Sequence, residues 1–309
     1  MLKRRQFIGR VGKTAGLVLL TGTLKSVLGG CTPAVESTNE TPINSMADPI
    51  PVSSADLLTP GILQWGAESD NGAPYVFFDP EDSSELIGFE VEIAKAIAQL
   101  MGVTSEFRDT PYPELANALA ANRFDLILNG WEVTSDREQT QLFSQPYYRY
   151  GQQIVVRADD PRFADANQDS ELTLKDLAGM TVGTGAGYRA EKILTQDPQI
   201  TLRSYVGELP FDDLAQGAID AVLIDYPIVA YYVLGTGPGS ARNTALKPIG
   251  VPIFLNNYVI AFNKNNPQAS ALQTEVDEAI ARLKQDGTLK DIYKNWNLWN
   301  EQQAEIGIV

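Results

Sequence analysis

From Gly61 onward, continuous apolar runs alternate with stretches in which apolar residues recur every three or four positions, the first reading as buried strands and the second as helices. Ile62 to Ala67 and Phe124 to Leu128 predict strands, with a shorter one near Ser105 to Arg108. Phe89, Ile93, Ala96, Ile97 and Leu100 share one helical face that ends at Gly102, and a second helix is predicted over Glu114 to Ala121. This order of strand, helix, strand, helix, strand predicts a mostly parallel sheet flanked by helices. The theme then repeats. A helical turn at Leu174 to Leu177 and strands near Thr181 to Thr184, Thr201 to Tyr205 and Ala218 to Ile224 interleave with helices over Ala190 to Thr195, Phe211 to Gln216 and from Pro227. Extended apolar segments, Gln152 to Arg157 and Tyr258 to Phe262, lie on either side of the second unit. Two such crossings between two α/β lobes form a hinge, and the last helices, Ala269 to Lys284 and Thr288 to Trp296, are expected to return to the first lobe. The expected division is residues 57–151 with 257–309 as lobe 1 and 152–256 as lobe 2.

The residues before this body carry a different pattern. Six basic residues (Lys3, Arg4, Arg5, Arg10, Lys13 and Lys25) stand in the first thirty without an acidic neighbour, followed by a mildly apolar stretch from Val11 to Leu28. That is the pattern of an export signal, too polar to remain as a spanning helix. Arg4 and Arg5, followed by Gln6, Phe7 and Ile8, resemble a twin-arginine signal, with Lys3 where that motif usually has Ser or Thr. Leu28, Gly29, Gly30 and Cys31 look like a lipobox, in which the cysteine is acylated and becomes the new N-terminus. The segment 31–56, rich in Thr, Ser, Pro and Asn, reads as a flexible tether. An exported protein, lipid-anchored at the outer face of the cytoplasmic membrane, is therefore expected.

Composition removes several chemistries. The 309 residues include no histidine and one cysteine, which rules out His-based triads, Cys/His metal sites and an internal disulfide. Net charge is −15, and without the first thirty residues the balance is 18 basic against 39 acidic side chains. Such a body is repelled by phosphate backbones, so no nucleic-acid partner is expected.

In open α/β sheets ligands bind beyond the carboxyl ends of strands. After Phe124 to Leu128 come Asn129, Gly130 and then Ser135 to Glu138, which read as a capping box placing Arg137 in a first helical turn. A guanidinium there suits a carboxylate; the alternative is a surface arginine paired with Asp136 or Glu138. Asp225 follows the strand ending at Ile224 and precedes Pro227, as an acceptor for an ammonium group or as an ordinary acid at a helix start. Gly183, Gly185 and Gly187 leave backbone bare before Tyr188 and Arg189, suiting an anion. They are not a dinucleotide fingerprint, since Tyr188 stands at its sixth place.

Taken together the segments Ile87 to Ala98 (IGFEVEIAKAIA), Phe124 to Gly130 (FDLILNG), Thr134 to Arg137 (TSDR), Phe143 to Tyr148 (FSQPYY), Asp176 to Gly179 (DLAG), Asp220 to Asp225 (DAVLID) and Asp286 to Tyr293 (DGTLKDIY) resemble the polar amino acid family of ABC-transporter solute-binding proteins, over about Gly61 to Leu298. The resemblance implies a two-lobed periplasmic binding protein fold of type II, an amino acid as ligand and an ABC permease as partner. It also implies that Arg137 holds the ligand α-carboxylate and Asp225 the α-ammonium. The backbone around Gly130 and around Tyr188 and Arg189 would complete the cradle, with an aromatic near Tyr112 beside the ligand side chain. A monomer, no cofactor and no enzymatic activity are expected. Two departures bear on selectivity: Glu132 replaces a usual Thr, and the loop from Glu68 to Tyr75 is long and lacks the common aromatic before its proline. Rival readings are a dehydratase-like enzyme using Glu132 or Glu68 as general acid, and a receptor that reports ligand to a membrane kinase. Asp165, Asn167, Asp169, Glu171 and Asp176 also follow the spacing of a calcium loop, with Ser170 in the glycine place and no helix pattern before it.

Overall fold

The structure, a computed structural model, describes Ile50 and residues 56–309; the export signal, Cys31 and almost all of the tether fall outside the described residues. No described helix is long and apolar enough to cross a membrane.

The first half of the chain contains β1 (Ile62–Ala67), β2 (Phe77–Phe78), β3 (Leu86–Ile87), α1 (Phe89–Leu100), β4 (Thr104–Asp109), α2 (Leu115–Ala120), β5 (Leu126–Ile127) and β6 (Gln141–Phe143). It continues through β7 (Tyr148–Arg157), β8 (Thr181–Gly185), α3 (Arg189–Thr195), β9 (Thr201–Tyr205), α4 (Phe211–Ala215), β10 (Ala221–Asp225), α5 (Tyr226–Tyr232) and β11 (Leu246–Tyr258). It closes with β12 (Ala261–Asn263), α6 (Ala269–Gln285) and α7 (Thr288–Asn295). One five-stranded sheet has the order β4-β1-β5-β12-β6 and the other β11-β7-β10-β8-β9.

Each sheet has a parallel core of three strands, as the alternating pattern predicts. Of the other two strands in each, β12 and β7 run antiparallel to the core, and β6 and β11 pair antiparallel with them, so the sheets are mixed. Three of these four strands, β7, β11 and β12, come from the crossings. The extended stretch predicted at Gln152 to Arg157 is the later part of β7, which begins at Tyr148, so the expected boundary at 151/152 falls inside a strand. The one predicted at Tyr258 to Phe262 is split between the end of β11 and β12. β11 itself was unmarked in the hydrophobic pattern, because Pro248, Gly250 and Pro252 speak against a strand. It forms as an edge strand: Pro248 is in register opposite Val155, and Pro252 lies where the pairing with β7 slips between Ile249 and Ile253.

The first sheet is packed on one face by Leu115, Leu119, Phe124, Ile127 and Trp131. Helices α6 and α7 pack against α1, and α6 also reaches β6 and β12. In β1 a close approach fixes a glycine: a Cβ on Gly66 would lie 2.3 Å from the Phe124 ring. The second sheet has its own cluster of Ile154, Val156, Val182, Leu194, Ala221 and Leu223. Between the sheets stands a column of buried tyrosines, in which Tyr150 and Tyr258 stack at 4.0 Å and Tyr148 lies 5.9 Å from Tyr258.

Candidate functional site

Five strand ends converge. The residues after β1, β4 and β5 (Glu68, Tyr112 and Gly130 with Glu132) meet those after β8 and at the end of β10 (Tyr188 with Arg189, and Asp225) around one cavity, which Tyr75 also lines. The lobes touch across it. Asn71 Nδ2 donates to the carbonyl of Gly207 at 2.8 Å, and the rings of Tyr112 and Tyr188 meet edge to face at 5.5 Å.

Arg137 is placed differently from its expectation. It opens a short 3-10 turn, Arg137–Gln139, and the hydroxyl that accepts its N–H is that of Thr134, at 3.3 Å; the predicted Ser135 to Glu138 capping box is not formed. Its guanidinium lies 3.4 Å from the centre of the Trp131 ring and lines a crevice behind Glu132 instead of the main cavity. Nη1 donates to the Glu132 carbonyl at 3.0 Å and approaches its carboxylate at 3.4 Å, and Nη2 donates to the Tyr112 hydroxyl at 3.4 Å. A guanidinium has five N–H donors, so it retains capacity for a further acceptor. Neither Asp136 nor Glu138 is among its partners, which disposes of the surface-pair alternative.

Glu132, buried to 4% exposure, lines both spaces. Tyr150 donates its hydroxyl to one carboxylate oxygen and Arg137 faces the other. Burial pushes its carboxyl above the ordinary range, opposed by those two partners and by Arg189. Glu68, at the rim, is also pushed up, chiefly by burial and then by Asp70 and Asp109.

Asp225 is the last residue of β10, one position further into the strand than the pattern suggests, and precedes α5 without capping it. Its side chain turns to the sheet. Gln152, its register partner on β7, donates to Oδ1 at 2.7 Å, and Tyr258 donates to Oδ2 at 2.5 Å. Since the Tyr258 proton is committed, Tyr75 donates to the Tyr258 oxygen at 2.8 Å. Each carboxylate oxygen can accept two bonds, so both keep a lone pair for a cavity ligand. Burial first, and the Glu132 charge second, raise Asp225 to about 7.

Three backbone N–H groups beside the cavity are engaged within the protein. The Gly130 N–H, at φ 54°, donates to Glu90 Oε1 at 2.7 Å and is therefore unavailable to a ligand. The start of α3 is occupied by its own side chain: Gly187 N–H donates to Glu191 Oε2 at 2.7 Å, and Tyr188 N–H to the Gly185 carbonyl at 3.2 Å. What α3 brings to the cavity is the Arg189 side chain, whose buried Nε has no hydrogen-bond partner among the described residues.

Sequence reasoning missed Glu90, Trp131, Tyr150, Gln152 and Tyr258. Trp131, next to Gly130 and buried to 2%, was adjacent to a flagged residue. Glu90 is fully buried under the cavity floor, accepting from Gly130 and from the Tyr147 hydroxyl at 2.5 Å, and burial raises it to about 7. The calcium spacing does not assemble: Asp176 accepts from Thr173 as part of a capping box, Asn167 caps its own turn, and among the described residues no group of three or more Asp, Glu or Cys gathers as a cation site.

Comparison with known proteins gives this geometry a context. A family model for bacterial extracellular solute-binding proteins, family 3, matches residues 63–298. The L-cystine-binding protein TcyJ of Escherichia coli K12 is 30% identical over 217 residues, 70% of this chain and 76% of that protein. ABC transporter arginine-binding protein 1 of the same strain is 28% identical over 69% of this chain and 83% of its own length. Among solved structures, an ancestral arginine-binding protein bound to glutamine superposes with a TM-score of 0.64 at 29% identity, covering 77% of this chain and 99% of that one. An ancestral amino acid-binding protein described as a precursor of cyclohexadienyl dehydratase gives 0.63 at 27% identity, covering 76% and 95%. With its two α/β lobes and its interlobe cavity, the chain belongs to the family 3 bacterial extracellular solute-binding proteins.

Proposed function

We propose that this protein captures a small amino acid between its lobes and presents it to an ABC permease, after export and acylation at Cys31 have tethered it to the membrane as a monomer. The α-ammonium is held by Asp225 and the α-carboxylate by the guanidiniums of Arg137 and Arg189, with Tyr112 and Tyr188 closing over the side chain. The observation that carries this reading is Asp225. It is a buried acid with both oxygens steadied by donors from the lobe crossings, facing a cavity that is also lined by Gly130 and Glu132, on the loop that leads to Arg137. A ligand bridging the two walls stabilises the closed form of an open–closed equilibrium, which is what a permease can read. Relatives named for cystine and arginine, and a structure holding glutamine, support amino acid as the class.

Calorimetry with the natural amino acids tests it. Arg137→Ala is expected to weaken binding by about 10- to 150-fold, the loss of charge-assisted hydrogen bonding at about 1.5–3 kcal/mol. An unchanged affinity in a variant that melts as the parent does would refute the assignment. Catalysis is not proposed. The dehydratase precursor among the neighbours and the raised carboxyls of Glu132 and Asp225 make turnover of a cyclic acid the alternative to exclude, by incubating the protein with such acids and following product.

A further inference from the structure

We propose that Glu132 makes the cleft selective for a ligand of net positive charge. This rests on the amino-acid reading of the same cavity and names the charge class that the cavity accepts.

The charges around the cavity do not balance. Its wall carries the carboxylates of Glu68, Glu132 and Asp225 and the guanidinium of Arg189. Arg137, in the crevice behind, spends Nη1 on the Glu132 carbonyl and carboxylate and Nη2 on Tyr112. Counting both arginines, one carboxylate remains uncompensated. Lys192, at the mouth of that crevice, does not supply the missing charge: its side chain is 58% exposed and lies 3.8 Å from Asp136. The outer chamber, which shares Glu68, Tyr112 and Tyr188 with the cavity, adds Asp70, Glu114 and Glu208 and no basic side chain.

An uncompensated charge is costly in a closed, poorly hydrated cleft. A neutral zwitterion brings one positive and one negative group and leaves the deficit as it was. A ligand carrying one further positive group removes it. The direction in which the acids are perturbed agrees: burial raises Glu132 and Glu68, and burial with the Glu132 charge raises Asp225. The competing way to balance the cleft is proton uptake by Glu132 or Asp225 as a neutral ligand enters, and calorimetry separates the two.

The protein is titrated at pH 8 with L-arginine, L-lysine, L-glutamine and agmatine, in two buffers of different ionisation enthalpy. A cationic amino acid is expected to bind at least about tenfold more tightly than glutamine, without proton uptake, and Glu132→Gln is expected to reduce that ratio by about tenfold. Should Glu132→Gln melt below the assay temperature, Glu68→Gln carries the same test, with a fall in the same ratio expected. Glutamine binding as tightly as the cations, binding of glutamine with uptake of a proton, or a ratio unchanged in the variant overturns the proposal and leaves amino-acid capture standing. Agmatine bound where no amino acid is would end the amino-acid reading and keep the charge requirement. If none of the four binds, the charge requirement falls, and titration with the remaining natural amino acids decides the amino-acid reading.

Discussion

Asp225 and Glu90 are acids that the folded protein raises to about 7 each, first by burial. Asp225 faces Glu132, Arg189, Gln152 and Tyr258, and Glu90 faces Gly130, Asn129 and Tyr147. An acid whose folded-state value lies above its unfolded one binds its proton more tightly when folded. Its contribution to stability is therefore fully present below about pH 4 and is lost progressively as pH rises from there through about 7. The acids that are lowered, Asp82, Asp160 and Asp220, titrate below that window. The ligand-free protein is thus expected to melt at a lower temperature at pH 8 than at pH 5.5, and Glu90→Gln, which preserves an acceptor for Gly130, to flatten the difference. Melting scans across that range check it, and a melting temperature rising steadily with pH would show the sign to be wrong. The sequence made Asp225 visible by its place at a strand end, and Arg137 visible chiefly through the family resemblance, since the local capping rule used to place it does not hold. It hid Gln152 and Tyr258, because their meeting with Asp225 is set by the pairing of strands that are 73 and 33 residues away.

At the scale of elements, glycines and edge strands decide how close the layers come. In β1, Gly66 lets the Phe124 ring lie across the strand, and an added methyl would meet ring atoms at 2.3, 2.5 and 2.7 Å. The ring is held among Leu115, Leu119 and Trp131 and has little room to move aside. Gly66→Ala is therefore expected to cost about 1–3 kcal/mol by overpacking, measured by denaturant unfolding with an unchanged m-value. A loss below about 0.5 kcal/mol would mean that the ring shifts freely. The parallel cores were legible because their strands are short, apolar and punctuated by turn residues. β11 was not, since its prolines and glycine are read locally as breakers, and an edge strand with an irregular register is the setting in which they are tolerated.

For the whole molecule, the crossings carry the function. β7 and β11 run from the tyrosine column into the second sheet, and the same strands deliver Gln152, Tyr150 and Tyr258 to the two buried acids. If the lobes close on a ligand as proposed, their movement acts on the hydrogen bonds that these strands make to Asp225 and Glu132. The direct test is the structure of the protein crystallised with the amino acid that binds it most tightly. The account predicts the ligand ammonium within about 3 Å of Asp225 and its carboxylate within hydrogen-bonding distance of the Arg137 or Arg189 guanidinium, with the lobes shut over it. A ligand seated elsewhere, with Asp225 and Arg137 both turned to open solvent, would contradict it.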